Sequence, residues 1–364
     1  MAHSGMTSRE RLLAATNLAP VDRLPFWPKL DGAYFARYGE RMGARSISDF
    51  HRILGTDEHV MAGGGYRLEC PAGISLDTRE TPSERVMTYT VHGHSMVERH
   101  VWDGPSCSWV PVQHPVETRE DILRMTQFYE AARVVPDQEA IDRCHARFAQ
   151  SPNALSGWVV GESPLMYFVE WTAGIAEAHF LLTDHQDEVE ALFAAHQRLL
   201  LDTARFGIGH MRADLYYFIE NTSTTLISPD QYARYCAPHI DEYGALFSAA
   251  DKKLALHMCG HLRLLLPQLA RSPAAAFEAF TSPTVGNVTM KDGRLALPGK
   301  CLMGGTNATT WLKPLPGVIA ELEQALDGLD PRGVILSSGG VMPPDCDPSV
   351  ISGAVGWLNE HASY

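Results

Sequence analysis

Residues 184–219 read DHQDEVEALFAAHQRLLLDTARFGIGHMRADLYYFI, and this stretch decides the fold. Val189, Leu192, Phe193, His196, Leu199, Leu200 and Thr203 recur at three- and four-residue steps, which lines them along one face of a helix over 184–206. Soon after comes a compact apolar run of strand length, Asp214–Ile219. A similar run, Gly157–Gly161, stands before the helix. Further on, Leu254–Met258, Ala275–Phe280, Cys301–Gly305 and Val334–Ser337 repeat the pattern, with amphipathic stretches between them. Strand-then-helix alternation implies a parallel sheet covered by helices. Six such strands after residue 150, with an earlier pair that starts at Leu24-Pro25-Phe26-Trp27, fit a closed (β/α)8 TIM barrel. The rival is an open doubly wound sheet, which would carry a glycine-rich phosphate turn; no G-x-G-x-x-G or G-x-x-x-x-G-K-[ST] occurs.

The 364 residues therefore read as one barrel domain, 1–364. Thr7 and Glu10 form the pattern of a capping box before an opening helix. Residues 55–112 have another texture: Gly63-Gly64-Gly65, then alternating stretches such as Val86–Val91 punctuated by Pro82, Gly93 and Gly104. They are expected to form an antiparallel β-hairpin insertion.

Net charge is −13, with 43 acidic and 30 basic residues and no basic stripe, which argues against nucleic acid or an anionic membrane as the main partner. The opening MAHSGM lacks the basic and apolar regions of a secretory signal, and no apolar run approaches the roughly 20 residues of a membrane span. Seven scattered cysteines, Cys70, Cys107, Cys144, Cys236, Cys259, Cys301 and Cys346, contain no C-x-x-C pair. Free thiols in a reducing, cytoplasmic setting are the expectation.

Barrel enzymes place their chemistry just past the strands. Glu162 and Ser163 follow one run, and Glu220 and Asn221 the next. His257-Met258-Cys259-Gly260-His261, Thr281-Ser282, Thr306-Asn307 and Ser337-Ser338-Gly339-Gly340 follow the others. His257 and Cys259 are two apart, so on a strand they share a face, and both are zinc-ligand types; the bland alternative is a core histidine and an inert cysteine. Glu220 and Glu162 are candidate ligands or general acid/base groups, with Asn221 beside them; helix capping or ion pairing is the alternative. Trp27, Tyr34, Phe35 and Trp171 are rim aromatics that suit a flat or apolar substrate, or simply core.

At this point the chain resembles the uroporphyrinogen decarboxylase superfamily. The resemblance lies in Thr7–Pro25 (TSRERLLAATNLAPVDRLP), Ser228–Tyr232 through Pro238, His257–Gly260, Gly304–Asn307 and Ser338–Pro344, in that order. It implies the same (β/α)8 barrel, and a homodimer by family habit. The namesake enzymes carry an arginine-rich RQAGRY segment after the first strand; here it is Trp27–Tyr34, WPKLDGAY, and Asp31 would repel an acidic porphyrin. The H-x-C instead is similar to that of the zinc-dependent, corrinoid-linked methyltransferases, of the methylcobamide:coenzyme M and O-demethylase types. That branch implies zinc on His257 and Cys259, completed by a second cysteine in a G-C-G-like turn. Gly339 stands at that place, so Cys346, Glu220 or His261 is expected to fill it, and an oxygen or nitrogen ligand would favour a demethylase-type reaction. Asn307 and Ser338 are expected to contact a cofactor. With no corrinoid-binding motif in the chain, cobalamin would arrive free or on a separate corrinoid protein, and the substrate would be a small methylated molecule, aromatic in one version. A metal-independent decarboxylase or lyase on the same barrel, and a non-catalytic binding protein, are the alternatives.

Overall fold

The computed structural model of the chain describes residues 5–104 and 108–362, so Cys107 lies outside the described residues. Eight parallel strands form the central sheet: β1 Phe26–Trp27, β2 His59–Gly63, β3 Leu155–Gly161, β4 Leu215–Ile219, β5 Leu254–His257, β6 Ala276–Phe280, β7 Cys301–Gly305 and β8 Val334–Ser337. Their order around the sheet is β1, β8, β7, β6, β5, β4, β3, β2, with helices between successive strands, which is the (β/α)8 barrel.

Side-chain parity along each strand makes two apolar layers. Trp27, Leu155, Leu215, Tyr217, Ala255, Ala276, Cys301, Met303 and Ile335 point inward and fill the barrel, together with Leu12 and Ala15 of the opening helix. Their neighbours in sequence, such as Phe26, Trp158, Tyr216, Phe218, Leu254, Leu256, Phe277 and Leu302, point outward under the helices. The opening helix, Ser8–Thr16, begins at the expected capping box of Thr7 and Glu10.

The ring closes between β1 and β2 without a ladder. The Asp57 N–H donates to the Phe26 carbonyl at 2.7 Å, and the Phe26 N–H donates back to Asp57 Oδ2 at 2.9 Å. Arg11 Nη1 reaches Asp57 Oδ1 at 2.5 Å, and Arg23 donates to both oxygens at 2.9 and 3.0 Å. Asp57 is fully buried and Arg11 nearly so.

The insertion is β-rich, with different bounds from those expected. Residues 55–63 belong to the barrel, since His59–Gly63 is β2 and pairs in parallel with Leu155–Val159 of β3. Beyond it, Tyr66–Glu69 pairs antiparallel with Arg133–Pro136, and a four-stranded antiparallel sheet spans Ile74–Glu80, Glu84–Val91, His94–Asp103 and Ser108–Gln113. The cysteines Cys70, Cys144, Cys236, Cys259, Cys301 and Cys346 are free thiols. Among the described residues no helix is long and apolar enough to cross a membrane.

Asp57→Asn keeps the shape of the clamp and removes its charge, leaving buried Arg11 with Asp22 as its remaining carboxylate partner. Breaking a buried pair on one side costs about 3–5 kcal/mol. Urea denaturation should show a loss of that order, with a smaller one for the more exposed Arg23→Ala; a loss below about 1 kcal/mol for Asp57→Asn would show that the seam closes without it.

Candidate functional site

The carboxyl ends of β3, β4 and β5 open onto a cleft of about 670 Å³. Glu170, Trp171, Asn221, Ser223, Cys259 and His261 line it, and Pro111 and His114 bring the end of the insertion over it. Its described lining contains neither lysine nor arginine.

On one side stands a line of charge across the barrel mouth. Strand parity turns His257 and Glu278 inward, and Glu278 is fully buried. Lys29, two residues past β1, donates from Nζ to Glu278 Oε1 at 2.8 Å, while Glu278 Oε2 pairs with His257 Nδ1. Burial alone would push the Glu278 carboxyl up; Lys29 and His257 reverse this and hold it down at about 2. Burial works against a charged His257, yet the Glu278 carboxylate outweighs it and lifts the imidazole to about 9. With Nδ1 held by Glu278, the nearby Cys259 thiol also favours the charged form of the imidazole.

Cys259 lies past the end of β5, where the chain turns under the β4 loop. A side chain at Gly260 would meet Ser223 Cβ at 2.3 Å and Thr222 O at 2.6 Å, so only glycine lets the two loops pass. The N–H groups of Glu220 and Asn221 both donate to the His257 carbonyl, at 2.9 and 3.0 Å. That doubled contact bulges the strand end and leaves Asn221 left-handed, with φ 42, a conformation asparagine tolerates. Asn221 Oδ1 faces Cys259 Sγ at 3.5 Å, and its Nδ2 donates to Glu170 Oε2 at 2.9 Å.

On the other side the groups are acidic. Trp171 Nε1 donates to Glu162 Oε2 at 2.8 Å. Burial and the neighbouring Glu170 push the Glu162 carboxyl well up, and burial raises Glu170. Glu220 accepts from the Ser163 N–H at 3.0 Å and the Ser163 hydroxyl at 2.5 Å; burial outweighs both bonds and raises it to about 7.

Cys259, Asn221 and His261 line the cleft, and His257, at the end of β5, stands in the line from Cys259 to Glu278. Of the three expected third ligands, His261 is on the cleft lining, while Glu220 and Cys346 are not. Glu220 is one residue out of phase with the inward face of β4 and is held by Ser163 behind it. Cys346 packs in the outer layer, its carbonyl accepting from the Tyr34 hydroxyl at 2.8 Å and its thiol pushed up to about 12 by burial. Gly339 has φ 74, and a Cβ there would meet Thr306 O at 2.7 Å and Thr281 Cγ2 at 2.8 Å, so this turn has no room for the cysteine. Among the described residues no three His, Cys, Asp or Glu side chains are placed to share one ion. His257 and Cys259 alone fall one short of the three protein ligands of a catalytic zinc site.

Asn307 and Ser338 are not on the cleft lining. Asn307 caps the turn after β7, accepting from the Thr309 N–H at 3.1 Å, and Ser338 donates to the Pro28 carbonyl at 2.9 Å, tying β8 to β1. Of the rim aromatics Trp171 lines the cleft; Trp27 fills the barrel, and Tyr34 and Phe35 pack in the outer layer. Glu170, Glu278, Lys29 and His114 were not singled out by the sequence reading. Glu278 carried a legible signal, a carboxylate inside the apolar run AAFEAF. Glu170 carried none, because it sits in a π-helical turn, Phe168–Thr172, that breaks the helical period.

Fold and site together define an α/β-barrel protein with a polar cleft at the carboxyl ends of its strands. The sequence profile of the uroporphyrinogen decarboxylase (URO-D) family matches residues 110–361, and the chain belongs to that family. A methyltransferase from Methanosarcina mazei shares the fold, with a TM-score of 0.62 over 98% of this chain and 99% of that one at 16% identity. The putative vitamin-B12 independent methionine synthase from Listeria monocytogenes aligns over 94% of this chain and 98% of its own at 12% identity, with a TM-score of 0.38, too low to argue from. No curated protein sequence matches the chain.

Glu278→Gln should destabilise the protein by about 3 kcal/mol, leaving Lys29 and His257 without their anion. The sign with pH follows from the two shifts. The depressed Glu278 stabilises fully above its ordinary 4.5 and loses this as pH falls toward 2. The raised His257 stabilises fully below its ordinary 6.5 and loses this as pH rises through 9. The difference between wild type and Glu278→Gln in urea should be greatest between pH 4.5 and 6.5 and shrink toward pH 10. A difference that grows at pH 10 would refute the ion-pair assignment.

Proposed function

We propose that this chain is a methyltransferase that binds a small, uncharged methyl ether in the cleft and releases its methyl group to a nucleophile brought by a second molecule, a corrinoid protein or another methyl carrier. The observation that carries this reading is the Cys259–His257–Glu278 line at the cleft. The family resemblance gives that His–Cys pair to methyl-transferring members, and a methyltransferase shares the fold. Asn221, Ser223 and His261 offer hydrogen bonds to a polar end of the substrate, and Trp171 and His114 offer flat faces to its body. Glu278 fixes the imidazole, and the imidazole in turn fixes Cys259 at the reacting end. The pair thereby positions the methyl group, since its two donors fall short of a catalytic metal site among the described residues.

A decarboxylase of a polyacid fits the cleft less well. Such a substrate needs cations to hold its carboxylates, and the described lining has no lysine or arginine while Glu170 faces the space.

Two measurements test the reading. Purified protein incubated with aryl and alkyl methyl ethers and reduced cob(I)alamin should form methylcobalamin, followed by absorbance, and His257→Gln or Cys259→Ser should slow this roughly 10²-fold by misplacing the substrate. Carbon dioxide released from a carboxylic acid, with no methylated cobalamin, would replace the reading with a decarboxylase. Protein produced with ample zinc should hold well under one zinc per chain; stoichiometric zinc lost in Cys259→Ser would restore the pair as metal ligands.

A further inference from the structure

Methyl transfer from an ether leaves an alkoxide or phenoxide, which needs either a Lewis acid or a proton as the bond breaks. The His257–Cys259 wall does not complete a metal site, so the source of the proton has to be sought on the opposite wall. There Glu162, only 5% exposed, and Glu170, on the cleft lining, meet as a carboxyl pair. One oxygen of each is held from outside the pair, Glu162 Oε2 by Trp171 Nε1 and Glu170 Oε2 by Asn221 Nδ2. The other oxygen of each, Oε1, is buried and receives no hydrogen bond from any other described group. Trp171, next in the chain to Glu170, holds Glu162, so the two carboxyls stand together on one wall, and each acts on the other's hold on a proton. Two ionised carboxylates do not hold such a contact, whereas one proton between them satisfies both orphaned oxygens. The surroundings favour keeping it: Glu220 lies behind Glu162, and the positive charge felt by Glu170 comes from His257, which Glu278 already neutralises.

We propose that Glu170, backed by Glu162, is the general acid of this reaction and gives the shared proton to the methyl-bearing oxygen. The inference rests on the methyl-ether reading above. As the carbon forms its bond to the nucleophile, a cobalt(I) corrinoid or a thiolate, the C–O bond breaks and its electron pair stays on oxygen. The proton joins that oxygen, the product leaves as an alcohol or phenol, and the pair, now two carboxylates, regains a proton from water through the open cleft. Glu170 is the catalytic group because it is on the cleft lining; the proton on its buried Oε1 reaches the substrate oxygen once the carboxyl turns away from Asn221. Glu162 and Asn221 are positioning residues, and Asn221 sets the distance between the acid and the His–Cys pair, since its amide touches both Glu170 and Cys259.

The test compares leaving groups. Transfer to cob(I)alamin is measured from an alkyl methyl ether, whose alkoxide must be protonated, and from 4-nitroanisole, whose phenoxide departs without help. Glu170→Gln should slow the alkyl ether by about 10²–10⁴-fold and the nitroaryl ether by less than about tenfold. Glu170→Asp should recover part of the alkyl rate, which a purely structural role would not predict. Infrared spectra of the wild-type protein at pH 7 should show the carbonyl band of a buried protonated carboxylic acid, lost in the Glu162→Gln/Glu170→Gln double variant. Equal loss for both ethers, or no such band in the wild type, would overturn this inference and leave the methyltransferase reading standing. Wild-type protein that transfers from neither ether overturns both.

Discussion

The fold hangs on the closure between β1 and β2. β1 is two residues long and pairs with β8 alone, so the last gap in the ring has no ladder to fill it. An open edge there would leave the Phe26 N–H and carbonyl unpaired in the core. Asp57 answers both with its own backbone and side chain, and Arg11 and Arg23 supply the charge that lets its carboxylate sit dry. The consequence reaches the other end of the barrel. Closure fixes where the chain leaves β1, and two residues later Lys29, left-handed with φ 48, turns in to meet Glu278 on β6.

From that meeting the site divides by strand parity. Inward positions 257 and 278 join the charged line behind Cys259, while Glu220, one step out of phase, falls behind the sheet with Ser163. Asn221, in phase with Leu215 and Tyr217, reaches the cleft, and Ser223 follows it on the same loop. The insertion completes the acidic side. His100 stacks on Trp171 with centroids 5.5 Å apart, which holds the indole where its N–H meets Glu162. Buried Glu98 anchors this arrangement, accepting from the Tyr89 hydroxyl at 3.1 Å and pairing with His100 at 2.7 Å. The antiparallel sheet is therefore a wall of the cleft and part of what keeps its carboxyls dry.

The barrel was legible because its buried strands are short apolar runs and its helices keep a 3.6-residue period, so both signals are local. β2 escaped for the opposite reason: His59–Gly63 is brief, opens on a histidine and runs into Gly64 and Gly65, and it read as the start of the hairpins. At the site, the two-residue spacing placed His257 and Cys259 at one strand end, but β5 stops at His257 and Cys259 lies on the turn beyond it. Parity was misapplied at Glu220, where position just past a strand was taken for direction into the mouth. Of the missed residues Glu278 alone left a local sign, a carboxylate in an apolar run; its partner Lys29 lies 249 positions away, and Glu170 sits in a π-helical turn, and neither of these leaves a local pattern.

The charge at the mouth then has a direct bearing on what the family barrel does in this chain. The namesake enzymes, by the resemblance, meet their acidic substrate with arginines after the first strand. Here that segment offers Lys29, and Glu278 consumes its charge; Asp31 caps the next helix by accepting from the Tyr34 N–H at 2.8 Å. An anionic substrate in the cleft would face Glu170 with no free cation on the described lining. A neutral ligand pays no such repulsion. The barrel sets where the cleft lies, and the side chains on its lining, acidic at Glu170 and without lysine or arginine among the described residues, set which charge it tolerates.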